Sequence, residues 1–193
     1  MQHNDLSDPL QWLLSRKSAV KLVEPAPGKA EIAKMVEVAL TVPDHGLLKP
    51  YRFVEVAGDA RHGLLEAILA DRVGGERGVA DTALKERVQR KLFAAPLMLF
   101  VISSPMLASK IPVWEQQTTA GCTGYALTLA AHALGYGAAW KSFPFEVGRA
   151  QAKWMGLQPH ESVLGWVNLG SHIDPTALPS RQPVPVEDFY TRL

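Results

Sequence analysis

The 193-residue chain has one cysteine, Cys122, and this scarcity excludes an internal disulfide and a cysteine-rich zinc site. An excess of one charge is also missing: 20 Lys and Arg face 19 Asp and Glu without a run of like charges, so nothing indicates a nucleic-acid partner. No apolar run approaches the ~20 residues of a transmembrane helix. The N-terminus lacks the basic start and apolar stretch of a signal peptide. We expect a cytoplasmic protein that does not enter a membrane.

Several signatures of catalysis are missing as well. No G-x-S-x-G elbow marks a hydrolase nucleophile. The G-Y-G at 135–137 lacks a third glycine and precedes a predicted strand, which is the reverse of a dinucleotide fingerprint. The histidines are scattered, so no metal site is predicted, and Cys122 is interpreted as a small packed hydrophobe rather than a nucleophile. An enzyme with this sequence would rely on a cofactor for its chemistry.

The periodicity of the apolar residues favours an α+β fold, because helices and strands follow one another without regular strand–helix–strand alternation. Asp8 followed by Pro9 is a typical helix start, and Leu10, Leu13 and Leu14 of that helix are expected to face the core. The predicted helices are 9–15, 29–40, 59–70, 81–93, 113–134 and 147–155. The predicted strands are 52–57, 97–103, 138–142 and 162–169. A polar, glycine-rich surface loop is predicted over 71–81.

Two segments suggest contacts beyond a monomer. The middle of the predicted helix 113–134 is rich in small residues, which lets another backbone approach closely and suits a helix in the core or at a subunit interface. The segment 172–193 is rich in proline and contains Phe189 and Tyr190, which would be exposed if the segment hung free. We therefore expect a single domain over 1–193, in which the C-terminal segment 172–193 wraps another surface rather than hanging free.

Two polar clusters are candidates for ligand binding. Arg16, Lys17 and Ser18 place two cations and a hydroxyl within three residues, which suits a phosphate monoester. On spacing alone, basic residues that complement a helix dipole are the better explanation. The residues Trp-Lys-Ser at 140–142 end a short predicted strand and could hold a flat polar ring. Taken alone, a packed indole beside a solvated lysine is favoured there.

The connector at 41–51 contains more polar and ionisable side chains than a simple turn requires. It reads T-V-P-D-H-G-L-L-K-P-Y and lies between a predicted helix and a predicted strand. One interpretation is a turn whose prolines end one element and precede the next. The other is a wall of a binding site, because His45 and Lys49 stand close together between the two prolines.

Seven short motifs, taken together and in order, resemble the nitroreductase family, and more narrowly its compact bacterial branch. Each motif is weak alone, but the resemblance runs from about Leu10 to the last residues with similar gaps. The motifs are R-K-S (16–18), V-P-D-H (42–45), P-Y (50–51), P-V-W-E-Q (112–116), A-G-C (120–122), W-K-S (140–142) and G-W-V-N-L-G (165–170).

This resemblance implies a nitroreductase-like three-layer fold: a central, mostly antiparallel sheet flanked by helices, with a C-terminal arm that extends onto a dimer partner. It further implies a homodimer that binds FMN at the subunit interface and takes electrons from NADH or NADPH. The cofactor-binding residues implied by position are Arg16, Lys17, Ser18, Thr41, His45, Trp140, Lys141 and Ser142. In the family the contacts at positions 41 and 45 come from the partner chain. A nicotinamide-contacting segment is implied at Ala130, Ala131, His132, Ala133, Leu134 and Gly135.

The implied reaction is a two-step transfer in which NAD(P)H gives a hydride to the flavin, which then reduces a nitroaromatic, quinone or similar small oxidant. No catalytic side chain is implied, because the flavin carries the chemistry, but Lys141 is a candidate for stabilising the reduced flavin. Two alternatives stay open: a flavin storage or sensor protein without significant turnover, and a flavin enzyme with another outcome, such as flavin fragmentation. The sequence departs from the family pattern at Lys17 and Lys141, where arginine is frequent, at Thr41, where a basic residue is frequent, and at Lys49, where glutamine is usual.

Overall fold

The computed structural model describes residues 8–19, 21–73, 82–174 and 182–193. Most predicted elements are confirmed with shifts of a few residues at their ends. The predicted loop 71–81 lies outside the described residues from 74 onward, and its first three residues belong to a helix. The helices are α1 (Pro9–Ser15), α2 (Lys29–Ala39), α3 (Ala60–Val73), α4 (Thr82–Leu92), α5 (Val113–Ala133) and α6 (Arg149–Trp154). The strands are β1 (Leu22–Val23), β2 (Tyr51–Ala57), β3 (Leu97–Ser103), β4 (Gly137–Lys141) and β5 (Ser162–His172). Short 3-10 turns lie at His45–Leu47 and Val186–Asp188.

The five strands form a sheet whose described pairs are all antiparallel. β5 is the longest strand and pairs with β3 along one edge and with both β4 and β1 along the other. β2 pairs only with β3, so the order across the sheet is β1-β5-β3-β2 with β4 beside β5. This arrangement confirms the expectation of a mostly antiparallel sheet.

Two apolar cores lie on opposite faces of the sheet, because side chains alternate along a strand. The odd-numbered residues of β3 from 97 to 101 pack with α2 and α5. The even-numbered residues from 98 to 102 pack with α3, α4 and α6. Helices therefore cover the sheet from both sides, which confirms the three-layer fold and explains why β3 reads as a continuous apolar run.

Helix α1 begins as predicted but packs differently. The Asp8 carboxylate accepts hydrogen bonds from two backbone N–H groups of the first turn, as an N-cap does. The prediction that Leu10, Leu13 and Leu14 face the core is wrong, since Leu10 is 70% exposed and Leu14 56% exposed. Trp12 and Ser15 of this helix contact His132 of α5. The leucine face is therefore not covered by any of the residues that the structure describes.

Helix α5 is buried on the side that faces the sheet and open on the other. Its open side carries Trp114, Cys122 and Tyr125, all exposed. The prediction of a packed Cys122 is therefore wrong for the single chain, because no described element lies over this face. The helix ends at Ala133, and Gly135, two residues later, has φ of +81°, a backbone conformation that favours glycine.

Candidate functional site

The segment 16–18 leaves α1 at its C-terminal end and runs onto the sheet. Arg16 is the C-cap residue, with φ −59° and ψ 128°, so the backbone becomes extended at this point. The backbone N–H of Ala19 then donates to the carbonyl oxygen of Ala138 in β4, with an N···O distance of 2.9 Å. The first two side chains of the segment are half-buried and the third is exposed. Two cations and a hydroxyl are thereby held beside β4.

The other predicted cluster, 140–142, lies where β4 ends. The indole of Trp140 packs on Gly124 of α5, where a methyl group would overlap the six-membered ring. The carbonyl oxygen of Lys141 lies against Gly165 of β5, where a Cβ atom would also overlap it. Lys141 and Ser142 themselves are exposed. The indole is thus fixed by a close approach to a helix, while the cation and the hydroxyl that follow it stay available to a ligand.

The connector between α2 and β2 is held in an unusual backbone conformation. Gly46, Leu47 and Lys49 have φ of +73°, +52° and +48°, and the latter two are not glycine. The carboxylate of Asp44 accepts a hydrogen bond from the backbone N–H of Lys49 at 2.7 Å and closes the loop on itself. Residues in this region of φ are strained, and such strain is frequent at functional sites.

His45 projects from this connector toward the first turn of α5. Its Nδ1 lies 2.6 Å from Oε1 of Glu115. The hydroxyl of Thr119, one turn further along α5, donates to the carbonyl oxygen of Pro43 at 3.3 Å. Thr41, the other predicted partner-side residue, is exposed and donates its hydroxyl hydrogen to the carbonyl of α2 three residues earlier. The connector is therefore tied to the N-terminal end of α5.

The predicted nicotinamide segment, 130–135, forms the C-terminal end of α5. Its first two residues are buried, His132 is half-buried and the remaining three are exposed. The Nε2 of His132 lies 2.8 Å from Oγ of Ser15, and its ring stacks on Trp12 with centroids 5.0 Å apart. Burial lowers the pKa of His132; a hydrogen bond with the backbone of Trp12 acts against this, and the positive charge of Arg16 lowers the pKa further. His132 thus joins the end of α1 to the end of α5, next to the segment 16–18.

The structure brings some of the predicted residues together and separates others. The segments 16–18 and 140–142 both adjoin β4: the first is followed by Ala19, which bonds to Ala138, and the second lies at the end of the strand. His132 lies beside the first of them. His45 is at the other end of α5, beside Glu115. Glu115 and His132 are 17 positions apart, or about 25 Å of helix at 1.5 Å per residue. One chain therefore does not gather all the predicted positions around one small group.

The sequence profile of the Nitroreductase family matches residues 13–171 of the chain. The chain belongs to this family. Among curated proteins, "Putative NAD(P)H nitroreductase YdjA" of Escherichia coli strain K12 is 29% identical over 164 residues, which cover 85% of this chain and 88% of the relative. "Putative NAD(P)H nitroreductase" of Haemophilus influenzae is 31% identical over 188 residues, which cover 96% of this chain and 100% of the relative. The chain is accordingly an oxidoreductase of the nitroreductase type.

Solved structures of the family have the same fold. A nitroreductase-like family protein from Bacillus cereus superposes with a TM-score of 0.80 at 17% identity, over 97% of this chain and 96% of the other. A nitroreductase with bound FMN from Bacteroides fragilis superposes with a TM-score of 0.71 at 20% identity, over 97% and 99%. The FMN- and NADPH-dependent nitroreductase NfnB has a TM-score of 0.72 at 17% identity, over 96% and 99%.

Two residues that contact predicted site positions were not themselves predicted from the sequence. Glu115 lies within the P-V-W-E-Q motif, but only the structure reveals its pairing with His45 across 70 positions of sequence. Gly124 lies among the small residues of α5, and the sequence gives no sign that its missing side chain makes room for Trp140. Both contacts join distant parts of the chain, which local periodicity does not reveal.

Other features of the described ranges lie away from these clusters. A cavity of about 460 Å³ opens beside α4 and is lined by Glu86, Gln89, Arg90 and Phe93, none of which belongs to the predicted site. Over the same ranges, no group of three or more His, Cys, Asp or Glu side chains is arranged to hold a metal ion. Nor does any helix there have the length and apolar character to cross a membrane.

Proposed function

We propose that this family member is an FMN-dependent NAD(P)H oxidoreductase that acts as a homodimer on a small oxidant such as a nitroaromatic or a quinone. The observation that carries the proposal is the hydrogen bond from Ala19 to Ala138, because it sets the segment 16–18 beside the strand that ends at 140–142. The names of the two curated relatives and the bound FMN of the Bacteroides fragilis protein support the same assignment.

The residues at the 16–18 end fit a phosphate monoester. The guanidinium of Arg16 and the ammonium of Lys17 offer charge-assisted hydrogen bonds, and Ser18 adds a neutral donor. Nearby, the indole Nε1 of Trp12 is buried and has no hydrogen-bond partner among the described residues. A buried donor without a partner is unfavourable. A ligand or a second subunit at this end of the sheet would relieve that deficit.

The residues at the 140–142 end fit the ring of a flavin. Lys141 is three residues beyond Ala138 on an extended strand, or about 10 Å at 3.3 Å per residue. That span is comparable to an extended five-carbon chain with its phosphate. FMN would supply the redox chemistry when bound, taking a hydride from NAD(P)H and passing the electrons to the oxidant. Lys141 would hold a fixed positive charge where negative charge develops on the ring.

The open surfaces of the chain support a homodimer. The uncovered face of α5 carries Trp114 and Tyr125, and the leucine face of α1 is exposed as well. Large exposed apolar surfaces of this kind mark interaction sites. Since His45 lies about 25 Å along α5 from the His132 end, a second subunit that packs on α5 would bring its own His45 and Thr41 to a pocket that one chain leaves incomplete. The arm 172–193 would embrace that second subunit.

The nicotinamide segment 130–135 stays a prediction. Its last three residues are exposed and could be reached by a dinucleotide, while Ala130 and Ala131 are buried and could not. His132 is already engaged with Ser15 and Trp12. A contact with the electron donor would therefore involve the exposed end of the segment.

The visible absorption spectrum tests the proposal. The purified protein is incubated with FMN, desalted, and then treated with NADPH or NADH without oxygen. A bound flavin band that bleaches with either donor is the expected result, followed by recovery when a nitroaromatic or a quinone is added. A band that persists with both donors would point to flavin storage or sensing. A protein that retains no flavin would refute the assignment of the cofactor.

A further inference from the structure

The imidazole of His45 and the carboxylate of Glu115 connect the strained connector to α5. Nδ1 and Oε1 are 2.6 Å apart. A carboxylate oxygen accepts hydrogen bonds, so Nδ1 carries the hydrogen in this pair and donates it. The hydrogen-bond partner of one ring nitrogen decides whether the other nitrogen carries a hydrogen. Nε2 of the neutral ring is therefore left as an acceptor, and the side chain of His45 is 66% exposed.

The carboxylate end of the pair is held firmly. Glu115 lies in the first turn of α5, and its side chain is only 32% exposed. The next residue, Gln116, is buried, and its amide accepts from the backbone N–H of Met106 and donates to the carbonyl of Ile111, both at 2.8 Å. These bonds fix the turn from which Glu115 projects.

The imidazole end of the pair projects from a connector whose backbone is strained. Leu47 and Lys49 have positive φ, and Asp44 closes the loop by accepting from the N–H of Lys49. The hydroxyl of Thr119 anchors the same loop through the carbonyl of Pro43. Hydrogen bonds made by Pro43 and Asp44 before it and by Lys49 after it therefore fix the position of His45.

A plain surface ion pair does not account for this arrangement. Exposed pairs of that kind contribute little to stability, so stability alone gives no reason to hold two non-glycine residues in the left-handed region. The chain also contains a plain pair of this type for comparison, Lys34 with Glu37 on α2, at 2.7 Å and about two-thirds exposed on both sides. That pair lies on one regular helix and involves no strained backbone.

We propose that Glu115 is a positioning residue for His45: it holds the hydrogen on Nδ1 and presents Nε2 as an acceptor to an N–H or O–H group of a ligand bound across the subunit interface. This inference rests on the proposed function, in which that ligand is the FMN held mainly by the partner subunit. The flavin offers donors of both kinds, an N–H on its ring and hydroxyls on its ribityl chain. Glu115 itself does not touch the ligand.

The first measurement needs no cofactor. The ring nitrogen shifts of His45, observed by NMR in the ¹⁵N-labelled protein at pH 8, report which nitrogen carries the hydrogen. The wild type is expected to carry it on Nδ1. Glu115→Ala should lose that preference, whereas Glu115→Gln should retain it, because the amide oxygen still accepts from Nδ1. Unchanged shifts in Glu115→Ala would overturn the positioning role.

The second measurement is the dissociation constant for FMN, followed by the change in flavin fluorescence. Glu115→Ala and His45→Ala should each weaken binding about fivefold to tenfold, the scale of one hydrogen bond. The double variant should be no weaker than His45→Ala alone, because Glu115 acts through the imidazole. Glu115→Gln should bind nearly as the wild type does. Glu37→Gln is the matched control and should leave both measurements unchanged.

The two measurements separate the inference from the function on which it rests. FMN binding by the wild type with equal affinity in Glu115→Ala would overturn the inference and leave the proposed function intact. A double variant much weaker than His45→Ala would also overturn it, since Glu115 would then act independently. A wild type that binds no FMN would overturn the proposed function, while the nitrogen shifts would still decide the pairing of Glu115 with His45.

Discussion

The indole of Trp140 lies directly over Gly124 of α5, so closely that a methyl group at position 124 would overlap its six-membered ring. One residue contributes the ring of the candidate site and the other contributes the space for it. Gly124→Ala should therefore displace Trp140 and lower the free energy of unfolding by about 1–3 kcal/mol, the usual range for overpacking. Urea unfolding and FMN titration measure the two effects.

The same helix provides the control for this change. Gly121 lies one turn earlier, and no atom would come within 4 Å of a Cβ there, apart from its own helix and chain neighbours. Gly121→Ala should keep the stability or raise it by up to about 1 kcal/mol, because alanine favours helices. Equal stability of the two variants would show that Trp140 can move aside without consequence.

Arg16 is expected to anchor the phosphate of FMN. Arg16→Ala should weaken FMN binding by about 1.5–3 kcal/mol, the scale of a hydrogen bond to a charged group, or roughly 10- to 150-fold. Riboflavin lacks the phosphate, so its affinity should change far less. Lys21→Ala removes a nearby exposed cation and serves as the control. Equal retention of FMN by Arg16→Ala and the wild type after desalting would exclude this role.

A partly buried ion pair on the opposite side of the sheet should make the free energy of unfolding depend on pH. Arg52 donates to both carboxylate oxygens of Glu161, at 2.8 and 2.7 Å. These hydrogen bonds lower the pKa of Glu161 to about 2, and its side chain is only 3% exposed. Glu161→Gln should therefore reduce the free energy of unfolding at pH 7 by about 2–3 kcal/mol.

The sign of this effect follows from the lowered pKa. The stabilisation is complete above the pKa of an unfolded glutamate, about 4.3, and is lost as the pH falls from there toward 2. The difference between wild type and Glu161→Gln in urea unfolding should thus be constant from pH 6 to 8 and shrink in acid. Glu37→Gln, in the exposed pair with Lys34, should differ little from wild type at any pH. A difference that persists unchanged at pH 3 would contradict the assignment.

The C-terminal segment should contribute to dimer formation. Its last described part, 182–193, is exposed in the single chain, with Phe189 80% and Tyr190 65% exposed. In the proposed dimer, deletion of 182–193 should weaken the association, because the contacts of these aromatic side chains with the second subunit would be removed. Sedimentation velocity over a range of concentrations measures this. A truncated protein that sediments as an intact dimer would refute the embracing arm.

Secondary structure was predicted most accurately where the local apolar pattern reflects burial in the chain's own core. β3 was predicted with its exact bounds, because a central strand covered on both faces is a continuous apolar run. The same reasoning was wrong for the leucines of α1. Their spacing was correctly helical, but a pattern does not say whether the apolar face meets the chain's own core or another surface. β1 was missed since two residues carry no periodicity.

The candidate site was predictable in its parts and not in its connections. The positions 16–18 and 140–142 stood out through their residue types, and the family resemblance gave them roles. The position of the first beside the strand that carries the second depends on one backbone hydrogen bond, from Ala19 to Ala138, between residues far apart in sequence. The pairing of His45 with Glu115 is equally distant. Such contacts follow from the whole fold, so no local signal encodes them.

The position of β5 in the sequence sets the order in which the strands can pair during folding. In the described sheet, β1 and β4 take all their strand pairing from β5, which ends at His172. A growing polypeptide can pair β2 with β3 early, but β4 has no strand to pair with until β5 has left the ribosome. Long-range pairing of this kind is slow and follows local structure. A prematurely terminated product would contain every residue of the two polar clusters and still lack the frame that relates them.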